Sequence, residues 1–250
     1  MKLADRIYLV GSGSMGFDLT DPYDCHVYLL DGGGELALVD VGAGMGAERI
    51  LENVRRDGFE PDRIRHLILT HAHGDHAGGA ARMRRLVGEP AVYLSKAVAG
   101  CLRAGDERAA SIEVAKQAGI YPSDYRYEAC DVDVELRDGE TIAVGELAVT
   151  VLDTPGHSDG HVSLLVDAAG QRTLFAGDAI FFGGKILMQA THDCRLDEEI
   201  RSLRRLREVA VDALLPGHLT LSLSGGQRHI ERANEVLDTL LIPEQIVTAW

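Results

Sequence analysis

A near-continuous apolar strand, IRHLILT (64–70), runs directly into HAHGDH (71–76), and no other stretch constrains the chain as much. A strand apolar on both sides predicts a sheet covered on both faces. Three histidines and an aspartate at its end predict a metal-binding loop, because α/β folds build their sites where strands end. Imidazole and carboxylate are the ligands that hold zinc, iron and manganese. Side chains two apart in an extended segment point the same way, so His71 and His73 can grip one ion together. Asp75 and His76 sit where the chain turns into a helix and can face a second ion.

A metal site needs partners from elsewhere, and three further segments offer them. LDTPGHSDGH (152–161) places His157 in a loop between two strands, LFAGDAIFF (174–182) ends a strand with Asp178, and LLPGHLT (214–220) ends another with His218. Each ligand has a glycine beside it, which lets the backbone turn sharply and bring the side chain inward.

The pattern around these segments is strand-rich in two blocks with helices between and after them. RIYLV (6–10), HVYLL (26–30), ELALVDV (35–41) and AVYL (91–94) read as strands, and 44–57 and 77–87 as helices. The stretch 95–120 is helix-rich. Strands return at 131–136, 141–144, 147–154, 161–166, 172–178 and 211–218, with helices at 197–209 and roughly 225–241. Two mixed sheets packed face to face, with helices outside, satisfy this pattern. The length suits one α/β domain over 1–250, with halves at about 1–125 and 126–250.

VGSGSMG (10–16) carries the G-x-G-x-x-G spacing of a dinucleotide loop. A nucleotide fold needs a helix directly after the last glycine, but FDLTDPYDC has no apolar face of helical period. A glycine-permissive loop is the expectation. The formal net charge of −14 argues against nucleic acid as a partner. The four cysteines are widely spaced and read as packing residues. No apolar run has the length of a membrane span and the N-terminus lacks signal-peptide character, so the expected compartment is the cytoplasm.

Taken in order, Asp40 in LVDVG, the HAHGDH loop, His157 in TPGH, Asp178 in AGDA and His218 in PGH resemble the landmarks of the metallo-β-lactamase superfamily. The likeness spans nearly the whole chain. It implies an αβ/βα four-layer sandwich with a dinuclear centre in the groove between the sheets. Carried over by position, it implies His71, His73 and His157 at one metal, Asp75, His76 and His218 at the other, and Asp178 bridging them. Asp40 is expected behind the ligands, orienting the histidine loop, with His161 in a similar supporting place. His229, on the last helix, is expected to face solvent.

The chemistry expected of such a centre is hydrolysis. Two divalent ions, zinc first and iron or manganese as alternatives, share a water and lower its pKa toward neutrality. The bridging hydroxide then attacks a carbonyl, and Asp75 is the catalytic residue that orients it. An aspartate at the bridging position resembles glyoxalase II, lactonase and phosphodiesterase members and disfavours antibiotic hydrolysis. Phe181 stands where acyl-homoserine lactonases carry a tyrosine. The 32 residues after His218 allow one helix and a tail, and the helical glutathione-binding domain of glyoxalase II is not expected. The reading is a hydrolase of small-molecule esters, thioesters or lactones. A mononuclear iron persulfide dioxygenase-like oxidoreductase and a phosphodiesterase are the alternatives. Phe17, Tyr23 and Phe182, with Met188, are expected in the pocket wall, Lys185 or Arg195 against a substrate carboxylate, and His26 and His192 as further pocket candidates. The expected partner is a small molecule, with neither nucleic acid nor membrane, and the oligomeric state is open, with a homodimer allowed.

Overall fold

The structure, a computed structural model, describes residues 1–247. The first sheet runs β1 (Lys2–Ala4), β2 (Ile7–Gly11), β3 (Val27–Asp31), β4 (Leu36–Val39), β5 (Ile64–Ile68), β6 (Ala91–Ser95) and β7 (Val134–Leu136), in that spatial order. Its β1 to β4 pairings are antiparallel and its β4 to β7 pairings parallel. The second sheet has the order β12 (Ala213–Pro216), β11 (Gln171–Gly177), β10 (Val162–Ala168), β9 (Leu147–Asp153) and β8 (Thr141–Val144), antiparallel except for β11 with β12.

The four-layer expectation is met, and side-chain alternation explains it. Successive strand residues point to opposite faces, so one strand feeds two cores. Ile7, Leu9, Leu30 and Val39 from the first sheet pack between the sheets against Val149, Val151, Leu164 and Phe175 from the second. Leu29, Leu38, Ile64 and Leu67 face the other way. They meet Ile50, Leu51 and Val54 of α1 (Ala47–Arg56) and Met83 and Val87 of α3 (Ala80–Val87). On the far side, Leu165, Leu174 and Leu214 meet Leu203 and Leu206 of α6 (Leu196–Arg207) and Ile230, Ala233 and Leu237 of α7 (Gln227–Asp238). The acidic first turn of α6, Asp197 to Glu199, and its basic last turn complement the helix dipole.

Between β5 and β6 lies the short α2 (Gly74–Ala77), which carries the second half of the histidine loop. The helix-rich stretch after β6 resolves into α4 (Ala99–Ala104) and α5 (Ile112–Gln117). The glycine-rich segment after β2 stays irregular until β3, which pairs antiparallel with β2, so the nucleotide-loop spacing is a coincidence of composition. No helix among the described residues is long and apolar enough to cross a membrane.

Two histidines sit differently from expectation. His229 is buried, accepting the Gly183 N–H at 3.0 Å and lying 2.9 Å from the Ser222 hydroxyl, because α7 lays this face on the 181–185 loop. His26 is fully covered and pins two loops together. Its Nε2 donates to the Leu219 carbonyl at 2.9 Å, its Nδ1 accepts from Ser12 Oγ at 3.1 Å, and Phe17 stacks on its ring.

Burial lowers the His26 pKa from 6.5 to about 4. Between those values the unfolded chain binds a proton that the folded chain does not, so stability falls as pH drops below 6.5. In chelator, the native protein should lose about 2 kcal/mol more unfolding free energy between pH 7.5 and 5 than a His26→Gln variant. Denaturant titrations at both pH values check this, and parallel losses would contradict it.

Candidate metal centre

The strand ends deliver the site. β5 hands over to His71 and His73, α2 presents Asp75 and His76, the β9–β10 loop brings His157, the end of β11 brings Asp178, and the loop after β12 brings His218. All seven expected side chains converge. His71, His73 and His157 form one group of ligand atoms within 4.8 Å of one another, and Asp75, His76 and His218 form a second. Asp178 reaches both groups, with Oδ2 at 3.6 Å from His157 Nε2 and 3.4 Å from His218 Nε2, and Oδ1 at 3.4 Å from His76 Nε2.

Glycine makes this approach sterically feasible. A Cβ on Gly217, beside His218, would run into Asp178 Oδ1 and the His76 ring. A Cβ on Gly156, beside His157 and at φ +145°, would meet the backbone of Glu199.

Four of the five imidazoles are fixed from behind. Asp40, held at φ +58° between the ends of β4 and β5, is a hub. Its carboxylate accepts the Thr70 N–H at 2.8 Å, the Thr70 hydroxyl at 2.9 Å and His76 Nδ1–H at 2.8 Å. Thr70 Oγ1 in turn lies 3.0 Å from His71 Nδ1, and His157 Nδ1 donates to the Leu187 carbonyl at 2.9 Å. These contacts leave the opposite nitrogens of the three rings as lone-pair donors facing inward. His161 accepts the backbone N–H of Asp178 at 3.0 Å and pairs with Thr154 at 2.9 Å, which places it under the bridge position.

The donor set fits divalent cations. His71 Nε2, His76 Nε2 and Asp178 Oδ1 are buried with no hydrogen-bond partner among the described residues. Buried polar atoms are rarely left so, and three pointing into one space mark a place for a ligand that accepts lone pairs. The electrostatics agree. Burial holds His157 down at about 4. Burial also opposes charge on His218, but Asp178 and Asp75 outweigh it and raise its pKa to about 9. Without a cation, protons on this side of the cluster must balance the two buried carboxylates.

Four supports carry no motif in the sequence: Asp193, Tyr121, Tyr125 and Tyr127. Asp193 Oδ2 lies 2.9 Å from His73 Nε2 and accepts its proton, while Asp193 Oδ1 accepts from Ser111 Oγ at 2.7 Å. The sequence reading stopped one residue short, at His192, which is exposed and 3.4 Å from Ser111 Oγ. The tyrosines of YPSDYRY (121–127) grip the histidine loop. Tyr127 donates to the Ala72 carbonyl at 2.9 Å, Tyr125 to the Gly74 carbonyl at 3.2 Å, and Tyr121 to Asp75 Oδ1 at 3.1 Å. Three tyrosines in seven residues were the available signal.

A cavity of about 180 Å³ opens onto His73, Asp75, His157, Asp178 and His218. The substrate residues expected from sequence do not line it. Phe17 covers His26, Tyr23 packs on Tyr121, and Phe182 covers His229. Lys185 pairs with Glu244 at 2.7 Å, and Arg195 pairs with Asp159 and Glu198. Met188 packs against the α6–α7 core, and His26 and His192 are likewise absent from the lining. The wall comes from Met15, from the 110–121 stretch, from 187–191 and from Val247.

With this geometry in place, the comparisons are direct. The model of the metallo-beta-lactamase superfamily matches residues 20–218, and the chain belongs to that superfamily. A hydroxyacylglutathione hydrolase of Methylococcus capsulatus is 31% identical over 192 residues, 76% of this chain and 59% of that protein. The chain thus spans about three fifths of that relative's length. Acyl-coenzyme A thioesterase MBLAC2 of Bos taurus is 25% identical over 89% of this chain and 82% of its own. Among solved structures, a Cronobacter sakazakii metallo-beta-lactamase with the HARLDQ motif gives a TM-score of 0.73 at 21% identity, covering 96% of both chains. The subclass B3 enzyme BJP-1 of Bradyrhizobium japonicum gives 0.71 at 20%, covering 96% of this chain and 92% of its own. These two likenesses show the fold.

Removing the carboxylate behind His73 should loosen the cation held there. Asp193→Asn should weaken metal affinity by about 10- to 100-fold in a competitive chelator titration, with an unchanged circular dichroism spectrum. Unaltered affinity would remove Asp193 from the account.

Proposed function

We propose that this protein is a metal-dependent hydrolase of small-molecule thioesters, working at a dinuclear centre held by His71, His73 and His157, by Asp75, His76 and His218, and by Asp178 between them. The observation that supports the reading is the convergence of partnerless buried atoms, His71 Nε2, His76 Nε2 and Asp178 Oδ1, in one cluster of which Asp178 lines a cavity. Zinc suits this nitrogen and carboxylate set, and iron or manganese are the alternatives. Two such cations would supply a water of near-neutral pKa and polarise the substrate carbonyl.

The chain's own residues do the rest. Asp75 lines the cavity, and its Oδ1 is fixed by the Tyr121 hydroxyl while Oδ2 faces His218 Nε2 at 3.0 Å. Burial works against its charge, but His76 and His218 keep its carboxyl below the usual range, so it is ionised at neutral pH. An ionised, orientationally fixed carboxylate is suited to accept a proton from the attacking water. Asp40, Thr70, Asp193 and the Leu187 carbonyl hold the imidazoles still, which is what preorganisation requires.

The leaving group decides between substrate classes. A thiolate has a conjugate-acid pKa near 8.5 and departs without a proton donor, whereas an amine leaving from an amide needs one. No lysine or arginine lines the cavity among the described residues, and burial pushes the Tyr121 phenol well above its ordinary value. The two kinds of relative described above are named for acyl thioester substrates, which supports the same choice.

The test is kcat/KM for a thioester, a lactone, bis-nitrophenyl phosphate and a β-lactam under one metal and salt condition, with Asp75→Ala in parallel. The thioester should lead by more than tenfold, about 1.4 kcal/mol in transition-state binding. Asp75→Ala should abolish turnover while the group of His71, His73 and His157 keeps its ion. A leading β-lactam, or near-normal kcat in Asp75→Ala, contradicts the reading. Oxygen uptake with a thiol persulfide and one iron per chain would favour the dioxygenase alternative.

A further inference from the structure

The acyl half of the substrate can be read from the cavity wall, an inference that rests on the thioester reading above. Beyond the histidine and aspartate floor the wall is mostly apolar. Val114, Ala115 and Ile120 form one side, and Leu187, Ala190 and Val247 the other. The last of these arrives by an unusual route. After α7 the chain turns back and runs beside the 186–188 stretch. Ile186 N–H bonds to the Glu244 carbonyl at 3.0 Å, Ile246 N–H to the Ile186 carbonyl at 3.0 Å, and Met188 N–H to Gln245 Oε1 at 2.8 Å. This pairing sets Val247 against the cavity. It also ties that wall to Leu187, whose carbonyl orients His157.

Two polar side chains of the wall are committed elsewhere: Ser111 donates its hydroxyl proton to Asp193, and Tyr121 donates to Asp75. The other two, Gln189 and Thr191, are neutral. No lysine or arginine stands among the described lining residues: Lys116, between the lining residues Ala115 and Ala118, pairs with Glu107 at 2.6 Å, and Lys185 and Arg195 are paired outside the cavity. A carboxylate or phosphate at the far end of the acyl group would lose its hydration with no counter-charge in return.

We infer that the cavity is an acyl-chain subsite, and that the substrate class is a thioester of an uncharged aliphatic acid. The carbonyl lies over the His/Asp floor and the tail runs between α5 and Val247. The apolar stretch of wall between α5 and Val247 favours an acyl tail several carbons long over acetyl. Val114, 40% exposed at the cavity's edge, is the position at which a larger side chain shortens the subsite without entering a core.

The experiment uses the metal-loaded full chain and N-acetylcysteamine thioesters, whose small neutral thiol isolates the acyl half. Acetyl, butanoyl, hexanoyl and octanoyl thioesters are compared with the adipoyl thioester, which matches hexanoyl but ends in a carboxylate. Burial of each methylene is worth about threefold in kcat/KM, so at least a tenfold rise from acetyl to hexanoyl is expected. Adipoyl should fall at least tenfold below hexanoyl. Val114→Trp should lower the hexanoyl-to-acetyl ratio by tenfold or more, and Val114→Asp should do the same by polarity. Acetyl, hexanoyl and adipoyl rates within threefold of one another in the wild-type protein would overturn the subsite while leaving thioester hydrolysis standing. If none of the thioesters is hydrolysed, the reading under it fails first.

Discussion

Two aspartates and five histidines share one buried cluster, and the rest of the molecule is arranged around the cost of keeping them there. Burial strips hydration from Asp178 and Asp75, and their charges need a partner. Protonated histidines are one partner and divalent cations another. The geometry favours cations, because hydrogen bonds from Asp40, Thr70, Asp193 and Leu187 already hold the outward nitrogens of four of the five rings. Two sheets meet so that strand ends from both halves reach one point, and the layers of helix outside keep those strands dry. The glycines beside His157 and His218 fit where no side chain would.

The shared fold does not choose the substrate. Solved β-lactamases superpose on this chain over nearly its full length at 20 to 21% identity, while curated relatives at 25 to 31% carry thioester names. What separates such proteins lies above the metal floor. Here that layer is the 110–121 stretch, the 187–191 loop and the returning C-terminal segment. The three tyrosines of 121–127 connect this layer to the histidine loop. The segment that forms the wall therefore also braces the centre, and a change in the wall is felt by Asp75 through Tyr121.

The converging histidines and aspartates were legible in the sequence because HAHGDH follows an apolar strand and His157, Asp178 and His218 each follow a glycine near a strand end, and strand period and turn chemistry are local signals. Asp40 was legible through the likeness of LVDVG to a superfamily landmark. The two-sheet architecture followed from strands such as β5 and β10, which are buried on nearly every residue and must be covered on both faces. Asp193 was not legible, since its meeting with His73 spans 120 positions and depends on how the 181–194 loop lies. The same applies to the wall. Phe17, Tyr23, Phe182, Lys185 and His192 had suitable chemistry and fell in or beside the right segments, but tertiary packing gave them other neighbours. Val247 carries no motif and reaches the cavity only through the pairing of 244–246 with 186–188.

The central claim is that the two trios are separate cation sites sharing Asp178. Elemental analysis of metal-saturated protein after gel filtration tests it most directly, run on the wild type and on His157→Ala and His218→Ala. The account predicts two ions per chain in the wild type and one in each variant. One ion in the wild type, or two in either variant, would contradict it.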